Sequence, residues 1–292
     1  MNAQLPALFA GQFSVDGATR LYGTIGDPIR QLRLTALMPQ IFAAAGVNAV
    51  WLPFEGGADL MPVLLDGLAR MRNFAGLTVT TPHEAAALRL LNRATRRAEA
   101  AGSANLIRRE RDGALAGDNV EGAGFVRGLE AQGHRLRGAS VWVVGLGAVG
   151  GAIAAALCEA GVGRLLLTEI QRARLGTTID RLSRHYPDVP VAEAEVGTPP
   201  KGIHVAINAT PLGLHPEEPL SFDPVVLSPD VIIADVILTP TETPLLHHAR
   251  THGRRIHHGR HMLDHQVPLT LDWFGIDAKD ADVVALARSI GR

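Results

Sequence analysis

A second cysteine is missing from this 292-residue chain. Cys158 is the only one, so no intrachain disulfide can form, and a reducing, cytoplasmic setting is expected. A charge excess is missing too. With 28 basic against 29 acidic residues the formal net charge is -1, which gives no electrostatic reason to hold nucleic acid or an anionic membrane. No apolar run is long enough to span a bilayer; VWVVGLGAVGGAIAAALCEAG, residues 141–161, comes closest, but its glycines have another use. The opening MNAQLPALFAGQF lacks the basic start and long apolar core of a signal peptide, so none is expected. Tandem repeats and low-complexity tracts are absent as well.

What is present is ample apolar material, 47% of the residues, enough for one large domain or two ordinary ones. Short β-rich runs alternate with alanine-rich helical stretches. Strands are predicted at 21–26, 48–55 and 74–81, each followed by a helix, near 35–46, near 57–72 and from 81 onward. Residues 105–118 read as a hairpin about a two-residue Asp112-Gly113 turn. After a helix at 121–132, a second series begins, with strands at 140–147, 164–169, 191–195, 203–210 and 230–236. Its helices are predicted at 148–161, 171–185, 243–252 and 261–273. Such alternation predicts parallel sheets flanked by helices, in two α/β domains with a cleft between them. The first is 1–122, completed by C-terminal helices in 262–292. The second, 123–261, is a Rossmann-type doubly wound dinucleotide-binding domain.

The second series opens on a phosphate-binding loop. Gly145, Gly147, Ala148, Val149 and Gly150 lie between a strand and a helix, the context that a G-x-G-x-x-G pattern needs. Gly145 permits the tight turn, Gly147 lets backbone approach a pyrophosphate, and Gly150 lets helix and strand pack closely. The anion would sit on the helix N-terminus. Nineteen positions after Gly150, at the end of the next strand, stands Glu169. A carboxylate there accepts hydrogen bonds from a ribose 2′-hydroxyl and repels a 2′-phosphate, so NAD is favoured over NADP. Arg172 and Arg174 keep NADP open, and a solvated strand-end glutamate is the plainer alternative.

Further stretches fit this layout: IGDPI (25–29), TVTTPHE (78–84), GSANLI (102–107), GDNVEGAGF (117–125), NATPLGL (208–214), ADVILTPTETPLL (234–246) and GRHMLDHQ (259–266). In order and spacing the chain resembles the shikimate dehydrogenase family over nearly its whole length. The resemblance implies an N-terminal substrate domain, a nucleotide-binding domain, and reversible hydride transfer between a nicotinamide and a ring alcohol in the cleft. It implies substrate contacts from Thr80, Asn105 and Gln266. Asn208, Ala209 and Thr210 match the loop under the cofactor, and Gly259 and Met262 match positions lining the nicotinamide pocket.

Three parts of the family pattern differ. Leu32 and Leu34 stand at two serine positions that bind the substrate carboxylate in the family, and Thr35 stands at a proline. Glu84 takes the place of the catalytic lysine and Glu121 that of the aspartate. A cation–anion pair has become two like charges, which, if close and partly desolvated, titrate in two steps with one raised. Glu84 and Glu121 are therefore the candidate acid–base groups. An ionised pair would repel a carboxylate and attract an ammonium. Arg30 and Arg33 beside the leucines either offer a new anion site or are simply solvated.

The plainest reading of TTPHE is a capping box, with Thr81 at N-cap, Pro82 at N1 and Glu84 at N3 reaching back. It competes with catalysis by Glu84 and with substrate binding without proton transfer. His83 next to it is read as structural. His247, His248, His252, His257, His258, His261 and His265 crowd the C-terminal part. With no cysteine or H-E-x-x-H among them, no metal is expected.

The expected function is therefore NAD(P)-dependent oxidoreduction of a small molecule, a ring alcohol or related hydroxyl or amino compound other than shikimate. A dinucleotide-binding regulator or sensor without turnover is one alternative. A true shikimate or quinate dehydrogenase with a rearranged acid–base pair is another. Oligomeric state is not readable; a homodimer stays open.

Overall fold

The computed structural model describes residues 15–30 and 32–277, without the side chain of Arg33. The segment read for a signal peptide, the Arg33 side chain, and residues 278–292 of the predicted C-terminal segment thus lie outside the described residues.

Two sheets organise the chain. The first takes β1 (Arg20–Gly26), β2 (Ala49–Glu55), β3 (Phe74–Val79), β4 (Arg93–Ala94), β5 (Leu106–Arg109) and β6 (Leu115–Asp118) in the order β2-β1-β3-β5-β6-β4. Between them run α1 (Arg33–Ala44), α2 (Leu60–Arg70), α3 (Glu84–Leu90) and α4 (Arg96–Ala101). β1 lies parallel to β2 and β3, but β5 is antiparallel to both β3 and β6. This sheet is mixed, not parallel as predicted, because β5 and β6 are joined by a tight turn, and a hairpin connection can only be antiparallel. The turn is longer than the predicted two residues. The Glu110 N–H donates to the Ala114 carbonyl at 2.8 Å, enclosing residues 111–113 with Gly113 at φ 89°, a three-residue loop with glycine in the left-handed position.

The second sheet is parallel throughout. It follows α5 (Glu121–Ala131) and is built from β7 (Ser140–Val144), β8 (Arg164–Thr168), β9 (Val191–Glu193), β10 (Val205–Asn208), β11 (Ile232–Asp235) and β12 (Arg255–His257), in the order β12-β11-β10-β7-β8-β9. The helices are α6 (Ala148–Glu159), α7 (Arg172–His185), α8 (Pro244–Thr251) and α9 (Arg260–Phe274). After β7 the chain builds outward to β9, then returns to β7's other side with β10. Strand order reverses there, and the carboxyl ends of β7 and β10 open a crevice at this switch point. β4, α4 and β12 were not predicted; elements of two, six and three residues are too short to leave a periodic signature.

Glycines let the halves approach. A Cβ on Gly122 of α5 would lie 2.0 Å from the Ala152 carbonyl oxygen of α6. Arg181 of α7 donates to the carbonyls of Ala100 (2.8 Å) and Ala101 (3.0 Å) at the end of α4. α9 bridges the cores. Met262 is buried with Phe125 and Leu129 against the second sheet, whereas Val267, Leu271 and Phe274 pack with Tyr22, Phe42 and Trp51 on the first. Among the described residues no helix is long and apolar enough to cross a membrane.

Candidate active site

The carboxyl ends of β1 and β3 deliver the first group of side chains. The Thr80 N–H donates to the Ile25 carbonyl at 3.0 Å, and its methyl sits where a Cβ on Gly26 would be, 2.4 Å away. The predicted capping box does not form. Thr81 and Pro82 lie in a turn, the N-cap is His83, without a side-chain cap bond, and Glu84 is the first helical residue. A glutamate at N1 rather than N3 cannot reach back three residues to its own N-cap. Its carboxylate instead receives the Thr81 hydroxyl at 3.3 Å. The side chain is buried, and burial raises its pKa against the pull of its own N–H, Thr81 and His83. His83 is fully buried, with Nε2 against the Gly56 carbonyl at 2.9 Å. A carbonyl only accepts, so Nε2 carries the proton and the ring ties α3 to the β2–α2 loop.

Asn105 leads into β5 and joins this group to α5. Its carbonyl accepts from Val79 at 2.8 Å, and its N–H donates to Asp118 at 3.0 Å. Its side-chain Oδ1 accepts the Val120 N–H at 3.0 Å, while Asn119 Oδ1 takes the Glu121 N–H at 3.1 Å. Asn119 is held in turn by Ser103 Oγ at 3.0 Å. Glu121 is thereby set at the start of α5. Part of the residue reaches solvent, but Oε2 is enclosed and has no hydrogen-bond partner among the described residues. Burial first, and then the charge of Glu84, push its carboxyl up to about 8. The like-charge pair inferred from sequence is thus electrostatically coupled in the fold. Gln266 of α9 lies across Gly124, one turn further along α5.

At the other rim, the glycine loop fits a dinucleotide phosphate. Gly145 has φ 92°, and a Cβ on it would strike Thr210 and the Ala209 carbonyl at 2.7 and 2.8 Å. A Cβ on Gly150 would lie 2.0 Å from the Gly145 carbonyl oxygen. Gly147 differs: nothing lies within 4 Å of the position of its Cβ, so the free space faces outward from the loop. It is also the N-cap of α6, which has no side-chain cap and no acid in its first turn. The N–H groups of Ala148, Val149 and Gly150 lack intrahelical acceptors and suit an anion. Glu169 is buried at the end of β8, accepting from Leu146 N–H (2.9 Å) and Gln171 N–H (2.9 Å), with Arg174 at 3.4 Å. Burial raises its pKa, but these donors outweigh it and hold the carboxyl below its ordinary value. One acid therefore both fixes the loop and stays ionised. Arg172 is paired with Glu193.

Opposite the loop, Asn208 Oδ1 accepts from the Thr210 N–H (3.1 Å) and hydroxyl (2.7 Å), and its Nδ2 donates to the Leu212 carbonyl and to Asp235. Asp235, fully buried, also takes the Thr243 hydroxyl at 2.8 Å and the Ile237 N–H at 3.0 Å. Sequence reading gave Asp235 and Thr243 no role, although both lie in a motif used for the resemblance. Their signal was an acid ending an apolar strand, followed by the Thr-Pro start of a helix. Asp235→Ala would strand three buried donors; at about 1–3 kcal/mol each, a loss of at least about 3 kcal/mol in urea unfolding is expected. Gly259 packs on this segment, where a Cβ would meet Val236 at 2.5 Å. Met262 is in the core beside it.

Among the described residues of the β1–α1 segment, Thr35 Oγ1 is buried without a hydrogen-bond partner. Leu32 is the N-cap of α1 and offers no side-chain bond, Leu34 packs on the first core, and Arg30 is exposed. Among the described residues no cluster of three or more His, Cys, Asp or Glu could hold a metal.

Residues 24–107 match the family described as the shikimate dehydrogenase substrate binding domain. The shikimate dehydrogenase (NADP(+)) of Rhodospirillum rubrum is 32% identical over 285 residues, spanning 95% of this chain and 99% of that protein. The chain belongs to the shikimate dehydrogenase family. The quinate/shikimate dehydrogenase (NAD(+)) of Corynebacterium efficiens is 32% identical over 258 residues, 84% of this chain and 89% of that one. Shikimate 5-dehydrogenase from Listeria monocytogenes, crystallised with shikimate and NAD, superposes with a TM-score of 0.82 at 25% identity, over 96% of this chain and 98% of that one. Membership of the shikimate dehydrogenase family makes this protein a nicotinamide-dinucleotide-dependent dehydrogenase acting on CH–OH groups.

Proposed function

We propose that this dehydrogenase uses NAD, acts on a hydroxylated compound other than shikimate, and exchanges the hydroxyl proton through Glu121 beside Glu84. The dinucleotide, when bound, supplies the hydride acceptor or donor. In this reading residues 1–122 with 262–292 form the substrate side, residues 123–261 the dinucleotide side, and Thr80, Asn105 and Gln266 orient the substrate. The observation that carries it is the enclosed, unpartnered Oε2 of Glu121, coupled to Glu84. With a carboxyl poised near neutral pH, Glu121 takes a proton from an alcohol or returns it to a carbonyl oxygen. A carboxylate substrate would meet this acidic pair, and leucines in place of the loop serines. Production of NADH and NADPH with shikimate and with quinate tests the reading, run beside a Glu84→Lys, Glu121→Asp double variant. The natural protein should turn over neither acid and the variant should gain activity. Rapid turnover of shikimate by the natural protein would end the claim about substrate. Dinucleotide binding without turnover of any alcohol or amine would leave a sensor.

The NAD preference rests on Glu169. Ionised and fixed between two N–H groups, it opposes a 2′-phosphate and leaves a lone pair for a ribose hydroxyl. Glu169→Ser should shift the NAD-to-NADP ratio of Kd values toward NADP by about 100-fold, near 2.7 kcal/mol, read by quenching of protein fluorescence. An unchanged ratio would mean that other groups choose the cofactor.

A further inference from the structure

Among the described residues, Glu84 and Glu121 form no ion pair; the ion pairs formed by arginine lie elsewhere, Arg97 on Asp118 and Arg174 on Glu169 among them. Thr81, which donates to Glu84, and Asn105, whose Oδ1 holds the Val120 N–H at the start of α5, are uncharged. Glu84 is itself buried, and its one side-chain donor is the Thr81 hydroxyl at 3.3 Å, a long bond. A buried carboxylate so weakly supplied with donors is costly unless a cation completes it. Unless Glu84 keeps its proton, the carboxyl is completed by a cationic ligand.

We infer that the substrate is an amino alcohol, its ammonium group held by Glu84 and its neighbouring, reacting hydroxyl placed on Glu121. Resting on the hydride-transfer reading above, this deepens it by dividing the two carboxyls between two tasks. An ammonium on Glu84 cancels the charge that makes Glu121 hold its proton, so binding prepares Glu121 to accept the hydroxyl proton. The reaction balances. The carbinol carbon gives a hydride to the oxidised nicotinamide, the O–H proton passes to Glu121 and then to water, and an amino ketone and reduced nicotinamide result. The ammonium is unchanged throughout. The vicinal arrangement follows from the way the Asn105 segment joins the two helix starts: the Ala104 N–H donates to the Glu84 carbonyl at 3.0 Å and Asn105 Oδ1 accepts the Val120 N–H at 3.0 Å, and the nitrogen and oxygen of a 1,2-amino alcohol are near neighbours too.

Among the other ionisable groups nearby some have partners, whereas Arg260 Nε of α9 is buried without one. His83 is bound to the Gly56 carbonyl, and Asp118 to Arg97 and Thr95. α9, packed on α5, contributes Arg260, Asp264, His265 and His261, the last held by Gln132 at 2.7 Å.

The test compares three ligands on one ring: 2-aminocyclohexanol, cyclohexane-1,2-diol and 2-hydroxycyclohexanecarboxylate. Each is titrated calorimetrically into the full-length protein with NADH at pH 7.5, in two buffers of different ionisation enthalpy. The amino alcohol should bind at least about tenfold tighter than the diol and release protons, and the acid should bind weakest. Glu84→Gln should abolish the amino preference, the amino alcohol losing at least about tenfold in affinity relative to the diol. Equal or tighter binding of the diol or the acid overturns the inference, as does a preference for the amine that survives in the variant. Proton release is read on the natural protein, so a variant that fails to fold does not decide the matter. Binding in the expected order without NAD(P) reduction would count against the hydride-transfer reading alone; reduction with the diol preferred would count against this inference alone.

Discussion

Glutamine at position 121 should leave a folded protein that binds dinucleotide and turns over roughly 1000-fold more slowly, within the range for loss of one general acid–base group. Glutamine keeps the shape of the side chain and its hydrogen-bonding oxygen but cannot exchange a proton. In the natural protein the rate should titrate with Glu121, whose carboxyl is pushed up to about 8 by burial and by Glu84. In the variant that inflection should vanish. An inflection unmoved by Glu121→Gln would assign the proton to another group, and the acid–base role of Glu121 would be lost with it.

The same substitution has a signed effect on stability. Between the ordinary value of 4.5 and about 8, the folded protein keeps a proton on Glu121 that the unfolded chain has released. The folded state binds more protons in that window, so stability falls as pH rises through it. At about 1.36 kcal/mol per pKa unit, the loss by pH 9 amounts to a few kcal/mol. Glu121→Gln does not titrate. Compared with the natural protein, the variant should gain stability from pH 5 to about pH 8 and level off above that, seen as a rising and then constant difference in urea midpoint. A group that contributes to catalysis would then cost stability at alkaline pH.

Two glycines three positions apart should respond in opposite ways. Gly150→Val puts a branched side chain where even a Cβ lies 2.0 Å from the Gly145 carbonyl oxygen. Helix α6 has to move off the end of β7, at a cost of about 3 kcal/mol or more, and dinucleotide binding should fall at least about 100-fold. Gly147→Ala meets nothing within 4 Å and has φ -61°, which alanine adopts freely. Its stability should stay within about 0.5 kcal/mol, yet dinucleotide affinity should drop about tenfold, because the methyl takes the space left for the pyrophosphate. Full affinity in Gly147→Ala would place the phosphate elsewhere.

Much of the fold was legible along the chain, for a local reason. The inner strands of the second sheet, β7, β8, β10 and β11, are buried on both faces apart from Arg164, so they read as continuous apolar runs such as VWVV or LLL, and alanine-rich helices separate the runs. Gly145, Gly147 and Gly150 were recognisable because their roles depend on a strand before and a helix after, which are sequence properties. The antiparallel course of β5 was implied by the Asp112-Gly113 turn, but its effect on the sheet was missed, because pairing with β3 is a long-range choice. TTPHE misled for a similar reason. Its four residues suit a capping box, yet in the fold the Asn105 segment receives α3, the Ala104 N–H donating to the Glu84 carbonyl at 3.0 Å, and the helix starts two residues later than the capping box requires.

By itself the sequence determined the alternation of elements, the glycine loop between a strand and a helix, the family, and two glutamates at the places where the resemblance implies an acid–base pair. Only the tertiary structure decided what those glutamates are. Burial and mutual charge depend on which side chains surround a carboxyl in space. The elements that surround Glu121 come from α3, the start of β5, α5 and α9, more than a hundred residues apart along the chain. For the same reason Asp235, fully buried among Asn208, Thr243 and Ile237, became visible as the knot beneath the cofactor loop only once the chain was folded.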